Sequence, residues 1–250
     1  MIRMSRRGAI CACLCCFSAA LAFGPAGAAQ SPRPEFTFSE LRPGVFVHTS
    51  WSTLANGQWF PSNGLVVVGA DRTLMIDTAW TNDQTELLLD RLEPHVQGRP
   101  IDLFVTHFHR DRMGGIGVTA SRNIVSYAFA RTVEEARRHD MGRIDRALAP
   151  DSRLFDLGGR QLEAFYPGPG HTVDNAVVMD RASGVLFGGC MMRALAADDL
   201  GNVADADVAH WGASTAGAAE RFPKATLVVP GHGAPGNRDV FAHTIALARS

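Results

Sequence analysis

The stretch "FVTHFHRDRMGG", Phe104 to Gly115, closes an apolar run and sets His107, His109 and Asp111 at alternate positions before two glycines. Alternate residues of an extended chain point to one side. His107 and His109 can therefore reach one ion at a strand end, and Asp111, just beyond it, a neighbouring position. Imidazole and carboxylate are ligand types that zinc takes. Gly114 and Gly115 let the chain turn away without filling the space in front. By itself the motif also fits a polar loop after a buried strand, so its weight depends on the rest of the chain.

Three more segments repeat the design. His171 lies in "GPGHTVDN" just after "AFYP", Cys190 ends "LFGGC", and His232 lies in "VVPGHG". Each follows an apolar strand-like run and is accompanied by glycine, which admits close backbone approach. Four strand ends that each deliver a metal-type side chain point to a metal centre. His48, His95, His139, His210 and His243 lack this setting and are read as surface or core residues.

The frame around these segments alternates strands and helices. Val45 to Ser52 and Asn63 to Val68 read as strands of a hairpin, "WSTLANGQWF", with the turn dipeptide Asn56-Gly57 at its tip. "TLMIDT", "IDLFVTH", "LEAFYP", "NAVVMD", "GVLFGG" and "ATLVVPGHG" read as buried strands. Thr81 with Gln84, and Thr132 with Glu135, have the spacing of capping boxes. Further helices are expected near Ala204 to Phe222 and Val240 to Ala248. No Pro/Ser-rich linker divides the chain, so the expectation is one α/β domain of four layers or fewer, sheets inside and helices outside.

Composition sets the compartment. The 250 residues are 46% apolar and 20% charged, an ordinary globular balance. Arg3, Arg6 and Arg7 precede an apolar stretch from Gly8 to Phe23, and Ala26-Gly27-Ala28 has the small-x-small pattern of a cleavage site. Residues 1–28 thus read as a signal peptide and 29–250 as the mature domain, exported to the periplasm with no membrane anchor. Arg6-Arg7 lacks the remainder of a twin-arginine signal, which favours the general secretory route. Cys11, Cys13, Cys15 and Cys16 fall in the leader, so the mature chain keeps only Cys190 and cannot form an internal disulfide. A lone thiol in an oxidising compartment is protected when it is bound to zinc as thiolate. Removing three arginines leaves 21 basic and 25 acidic residues (24 − 3 against 25), a balance of −4 that argues against nucleic acid as a partner.

"HFHRD", "GPGHTVDN", "GGC" and "PGHG", in this order and spacing, resemble the zinc β-lactamases of subclass B1, whose di-zinc site contains a cysteine. The resemblance spans the mature chain, including "MIDTAWT" and "GNVADADVAHW". It implies the metallo-β-lactamase fold, an αββα sandwich of two mixed β-sheets flanked by helices, with the site along one edge. It further implies that His107, His109 and His171 hold a first Zn2+, and Asp111, Cys190 and His232 a second. A hydroxide between two such ions would attack the lactam carbonyl of penicillins, cephalosporins and carbapenems, without a covalent intermediate. The chain has no Ser-x-x-Lys motif for the serine route.

Other roles are implied by the same resemblance. Asp77 in "MIDTAW" matches a buried carboxylate that supports the ligands, and Arg112 stands behind them where related thioesterases, lactonases and phosphodiesterases supply a histidine. Asp111 and Asn202 take catalytic roles, Asn202 by polarising the carbonyl, although an Asn beside Gly201 also suits a turn. Trp59 and Phe60 resemble a mobile flap over the substrate, with hairpin packing as the alternative. Arg193, three residues after Cys190, stands where relatives carry a lysine that meets the substrate carboxylate, unless it is a solvated surface arginine. The expected partners are small β-lactams, and the expected state is a monomer. Two other readings are a thioesterase or lactonase of the same fold, which Arg112 and Cys190 oppose, and a periplasmic zinc carrier, in which open coordination positions and a flap would serve no purpose.

Overall fold

Continuous apolar runs, rather than alternating ones, mark strands covered on both faces. The computed structural model describes residues 32–149 and 151–249, so the leader assigned to residues 1–28 lies outside the described residues. In β4 (Thr73–Ile76), Leu74 and Ile76 face one hydrophobic cluster and Met75 another. In β10 (Val177–Asp180) and β11 (Val185–Gly189), Val178, Val185 and Phe187 join the central cluster, while Val177, Met179 and Leu186 face the opposite way. The two-residue period thus sorts each run into two buried faces.

The first sheet begins with β1 (Thr37–Arg42), β2 (Val45–Thr53), β3 (Trp59–Val68) and β4, all antiparallel. It continues in parallel with β5 (Ile101–Phe104), β6 (Val125–Phe129) and β7 (Arg146–Leu148). The second sheet is ordered β12 (Leu227–Pro230), β11, β10, β9 (Gln161–Phe165) and β8 (Ser152–Asp156); only the β11–β12 pair is parallel.

Both sheets are therefore mixed. One cluster, including Leu65, Phe104, Phe129, Val178 and Phe187, fills the space between them. On the outer face of the first sheet, Leu88 and Leu92 of α1 (Asn82–Val96) and Ala136 of α4 (Ala130–Arg138) pack with Met75 and Leu103. On the outer face of the second, Trp211 and Ala218 of α5 (Val208–Arg221) and Phe241 of α6 (Asp239–Leu247) pack with Val177 and Val228. The layers run helix, sheet, sheet, helix, as the αββα expectation had it.

Several local readings change. The hairpin strands run further than read, to Thr53 and from Trp59, and the Asn56-Gly57 tip is closed by the Gly57 N–H donating to the Leu54 carbonyl at 2.8 Å. Thr81 caps α1, accepting from the Gln84 N–H at 3.3 Å. The Gln84 side chain, beyond its bond to the Thr81 hydroxyl, exchanges hydrogen bonds with the backbone of Trp51 in β2. The second capping box does not form: the α4 cap is Phe129, and Thr132 lies inside the helix with its hydroxyl donating to the Asp174 carbonyl. There the strand β6 runs directly into the helix and leaves no turn for a hydroxyl cap. Strand β5 ends at Phe104, so the segment carrying His107 is irregular, and Asp111 sits in a short helix, α2 (Arg110–Met113), rather than an open loop. The strands β1, β6, β7 and β8 were not read from the sequence. Their short or largely exposed patterns carry little periodic signal.

Candidate metal centre

Each donor comes from a strand end at the same edge of the sandwich. His107 and His109 follow β5, Asp111 is the second residue of α2, His171 lies between β9 and β10, Cys190 follows β11, and His232 follows β12. Their ligand atoms converge in overlapping groups: His107 with His109 and Asp111, His107 with His171 and Cys190, and Asp111 with Cys190 and His232. Within each group all atoms lie within 4.8 Å of one another. The structure thus brings together all six donors named from the sequence. The other five histidines enter no such group among the described residues.

The first three donors are imidazoles. His109 Nδ1 lies 3.1 Å from His171 Nε2, and the ring centroids of His107, His109 and His171 are 4.9 to 5.0 Å apart. Burial pushes His107 well below the usual imidazole range and His171 down to about 3, and neighbouring histidines add to both effects. Both rings are therefore neutral near pH 7, with lone pairs free for coordination. His107 Nε2 is buried and has no hydrogen-bond partner. A buried polar atom left open costs free energy unless something binds it. A cation does so, and imidazole nitrogens are ligands that zinc takes.

The remaining donors are mixed. Cys190 Sγ is 3.2 Å from His232 Nε2 and 3.4 Å from Asp111 Oδ2, and His232 Nε2 is 3.2 Å from the same carboxylate oxygen. Burial pushes the Cys190 thiol well above its usual range, partly opposed by the Arg112 guanidinium. For Asp111, burial acts upward, but Arg112 and His232 outweigh it and hold the carboxyl well below the usual range. A thiol that is reluctant to ionise alone becomes a thiolate readily on a divalent cation.

Behind the donors lies a buried polar network. Arg112, fully buried, donates from Nε and Nη2 to Asp111 Oδ2 at 2.9 and 2.6 Å, and its other bonds reach Asp77 Oδ2, Ser62 Oγ and the carbonyls of Asn63 and Gly231. Asp77 accepts from the Thr106 N–H at 2.7 Å and the Thr106 hydroxyl at 2.8 Å, which fixes the chain just before His107. Asp77 itself has φ +63, a conformation that L-residues seldom adopt. Burial raises its carboxyl to about 7, against the pull of Arg112.

The groups assigned to substrate divide. Phe60 lies against His232, ring centroids 4.7 Å apart, and lines a cavity of about 470 Å³ with Arg193, Leu195 and Pro235. Trp59, one residue earlier in β3, does not line this cavity. Arg193 is mostly buried and already engaged: Nε donates to the Asp199 carbonyl at 3.0 Å, and Nη2 lies 3.5 Å from its carboxylate. Its guanidinium lies close over Gly201, where a Cβ would come within 3.0 to 3.2 Å of it and the φ of +72 favours glycine. Asn202 is exposed, with Oδ1 accepting from the Ala204 N–H at 3.2 Å, the turn geometry weighed above.

Several contributors were not read from the sequence. Asp205 Oδ2 lies 2.9 Å from His109 Nε2, and the Pro61 carbonyl accepts from His232 Nδ1 at 2.6 Å. Each fixes the tautomer in which the opposite ring nitrogen faces the cluster. Trp211 packs its ring 5.7 Å from that of His171 and donates to the Met191 carbonyl, next to Cys190. Asp205 sits inside "GNVADADVAHW", but nothing in a loop aspartate names its partner.

An αββα sandwich with histidine, aspartate and cysteine donors at one sheet edge defines the class. The domain described as the Metallo-beta-lactamase superfamily matches residues 57–232, and the chain belongs to that family. It is 37% identical over 215 residues to a "Metallo-beta-lactamase type 2" of Bacillus sp. (strain 170), covering 85% of this chain and 82% of that protein. A solved metallo-beta-lactamase from Pontibacter korlensis superposes with a TM-score of 0.82 at 34% identity, over 86% of this chain and all of that one. The metallo-beta-lactamase FIM-1 from Pseudomonas aeruginosa, solved in a mono-zinc form, gives 0.78 at 36% identity, over 88% and 98% of the two chains.

Proposed function

We propose that the protein is a zinc-dependent β-lactamase that opens the cyclic amide of penicillins, cephalosporins and carbapenems. The observation that carries this reading is the convergence of six donors, delivered after four strands, in overlapping groups, with one donor nitrogen, His107 Nε2, buried and without a partner. Its relatives bear the metallo-beta-lactamase name, and one was solved with a single zinc. His107, His109 and His171 would hold one ion, and Asp111, Cys190 and His232 a second. Zinc at these positions supplies Lewis acidity and a nucleophilic water at neutral pH.

The chain supplies orientation and enclosure. Asp205 keeps the His109 proton on Nε2, and the Pro61 carbonyl keeps the His232 proton on Nδ1. Arg112 holds the Asp111 carboxylate in one rotamer by two hydrogen bonds to a single oxygen. Phe60 and Leu195 give the neighbouring cavity an apolar wall for a drug substituent, and Arg193 gives it a cation for the substrate carboxylate. Asn202, exposed on the loop after Arg193, is the assigned polarising amide, and the hairpin carrying Trp59 and Phe60 the assigned flap.

Residues 1–28 are proposed to be removed as a signal peptide and residues 29–250 to act as one domain, monomeric, in the periplasm. The basic and then apolar composition of the leader supports export, and no described helix is long and apolar enough to cross a membrane. The deciding experiment is a hydrolysis panel on the purified mature chain, with zinc content measured before and after chelation. Carbapenem and penicillin turnover that is lost with EDTA and restored by zinc, at about two ions per chain, is expected, with little activity on a thioester. Full activity in metal-free protein overturns the reading.

A further inference from the structure

Asn63 lies in the middle of β3, almost fully buried, and every polar group it owns is engaged. Its N–H donates to the Gly231 carbonyl at 2.8 Å, and its side-chain amide donates to the carbonyls of Pro230 at 2.9 Å and Gly233 at 2.7 Å. Its Oδ1 accepts from the Thr49 hydroxyl at 2.8 Å, and its own carbonyl accepts from Arg112 Nη1. Two carbonyls on one side and a hydroxyl on the other leave a single orientation for the amide. Thr49 is its direct cross-strand partner in β2.

The three carbonyls bracket His232 before and behind, while the Arg112 that Asn63 holds is the residue gripping Asp111. His232 comes from the end of β12 in the second sheet, whereas Asp111 follows β5 in the first. Sheet stacking by apolar side chains is not directional, and it does not set the distance between donors on different sheets to a few tenths of an ångström. Hydrogen bonds at fixed length do. Asn63 sits on the first sheet and takes hold of the second at the point where His232 leaves it.

We infer that Asn63 is a positioning residue for the second metal position: it locks the His232 loop of one sheet against the Asp111 support of the other, and so sets the donor spacing there. This rests on the reading that Asp111, Cys190 and His232 hold an ion. Thr49 assists by fixing the amide orientation. A residue that merely filled hydrogen bonds in the fold would, when lost, weaken both metal positions together.

The test is a cobalt(II) titration of the mature apo chain, with zinc competition. The thiolate-to-cobalt absorption reports the position that contains Cys190, and the ligand-field bands report both positions. In the wild type two ions and a thiolate band are expected. Asn63→Ala should weaken binding at the cysteine-containing position about 10- to 100-fold, the range found when supporting partners of metal ligands are lost, and leave the three-histidine position within about threefold. Thr49→Val should move the same position in the same direction, and Thr49→Ser should restore it. The threonine pair carries the test if Asn63→Ala does not fold. Equal loss at both positions, or Thr49→Val and Asn63→Ala both within threefold of wild type at the cysteine-containing position, overturns the inference. A wild type with no thiolate band instead overturns the ligand assignment, and the inference with it.

Discussion

Asp205 holds the ring of His109 from outside the donor cluster, its Oδ2 2.9 Å from His109 Nε2. His109 Nδ1 faces the cluster, 3.1 Å from His171 Nε2, so the ring proton must sit on Nε2, which lies 2.9 Å from Asp205 Oδ2. A charged hydrogen bond of this kind is worth roughly 1.5 to 3 kcal/mol when shielded. The Asp205 side chain is 40% exposed and His109 16%, so water can replace part of the interaction and the figure falls to about 1 to 2 kcal/mol. At about 1.4 kcal/mol per decade this corresponds to a roughly 5- to 30-fold loss in kcat/KM for Asp205→Ala. Affinity at the three-histidine position should fall by a similar factor. Asp205→Asn keeps a neutral acceptor and should recover about half of the loss in free energy. Steady-state hydrolysis of one carbapenem, paired with chelator competition for the metal, measures both. If Asp205→Ala stays within twofold of the wild type in both assays, the tautomer of His109 is set elsewhere and this account is wrong.

Cys190→Ser should fold, retain about one zinc and lose most turnover, because a protonated hydroxyl is a poor replacement for thiolate; two tightly held ions by metal analysis would contradict the assignment. Arg193→Ala should raise KM about tenfold with kcat nearly unchanged. This is the lower end for a charged contact, since Asp199 already shares the guanidinium; unchanged KM in both Arg193→Ala and Arg193→Glu would leave Arg193 only the task of holding the 199–201 loop. His48 is buried with no well-formed hydrogen bond on either ring nitrogen, and burial first, then Arg112, lowers it to about 3 against a weaker upward pull from the Asp77 backbone. Its folded pKa lies below the unfolded value near 6.5, so its contribution is present above pH 6.5 and is lost as pH falls toward 3, by roughly 5 kcal/mol in all. Denaturant titrations from pH 7 to 4 should therefore show His48→Leu gaining steadily on the wild type, and a pH-independent difference would refute the burial argument.

How much of this was legible in the sequence follows from the range of each signal. The donor inventory was legible, because His107, His109, Asp111, His171, Cys190 and His232 each follow an apolar run, and the structure brings all six to one edge. The buried strands and the four-layer stacking were legible too, since a run of four or five apolar residues must be covered on both faces. The Thr81 cap was legible from its three-residue spacing to Gln84, whereas the same spacing at Thr132 misled, because strand β6 leads straight into the helix.

Tertiary structure alone decided which groups hold the donors in place. His109 meets Asp205 across 96 residues and Asn63 meets Pro230 across 167, and in the second case the acceptor is a backbone carbonyl, which every residue carries and no sequence pattern distinguishes. Arg193 shows the same limit: its place after Cys190 reads as a free cation, yet Asp199 reaches it once the loop closes over Gly201. Periodicity encodes which way a side chain faces along its own element. The distance between two elements is fixed only when the sheets stack and their polar edges find hydrogen-bond partners, so the sequence named the candidate donors and the fold set their spacing.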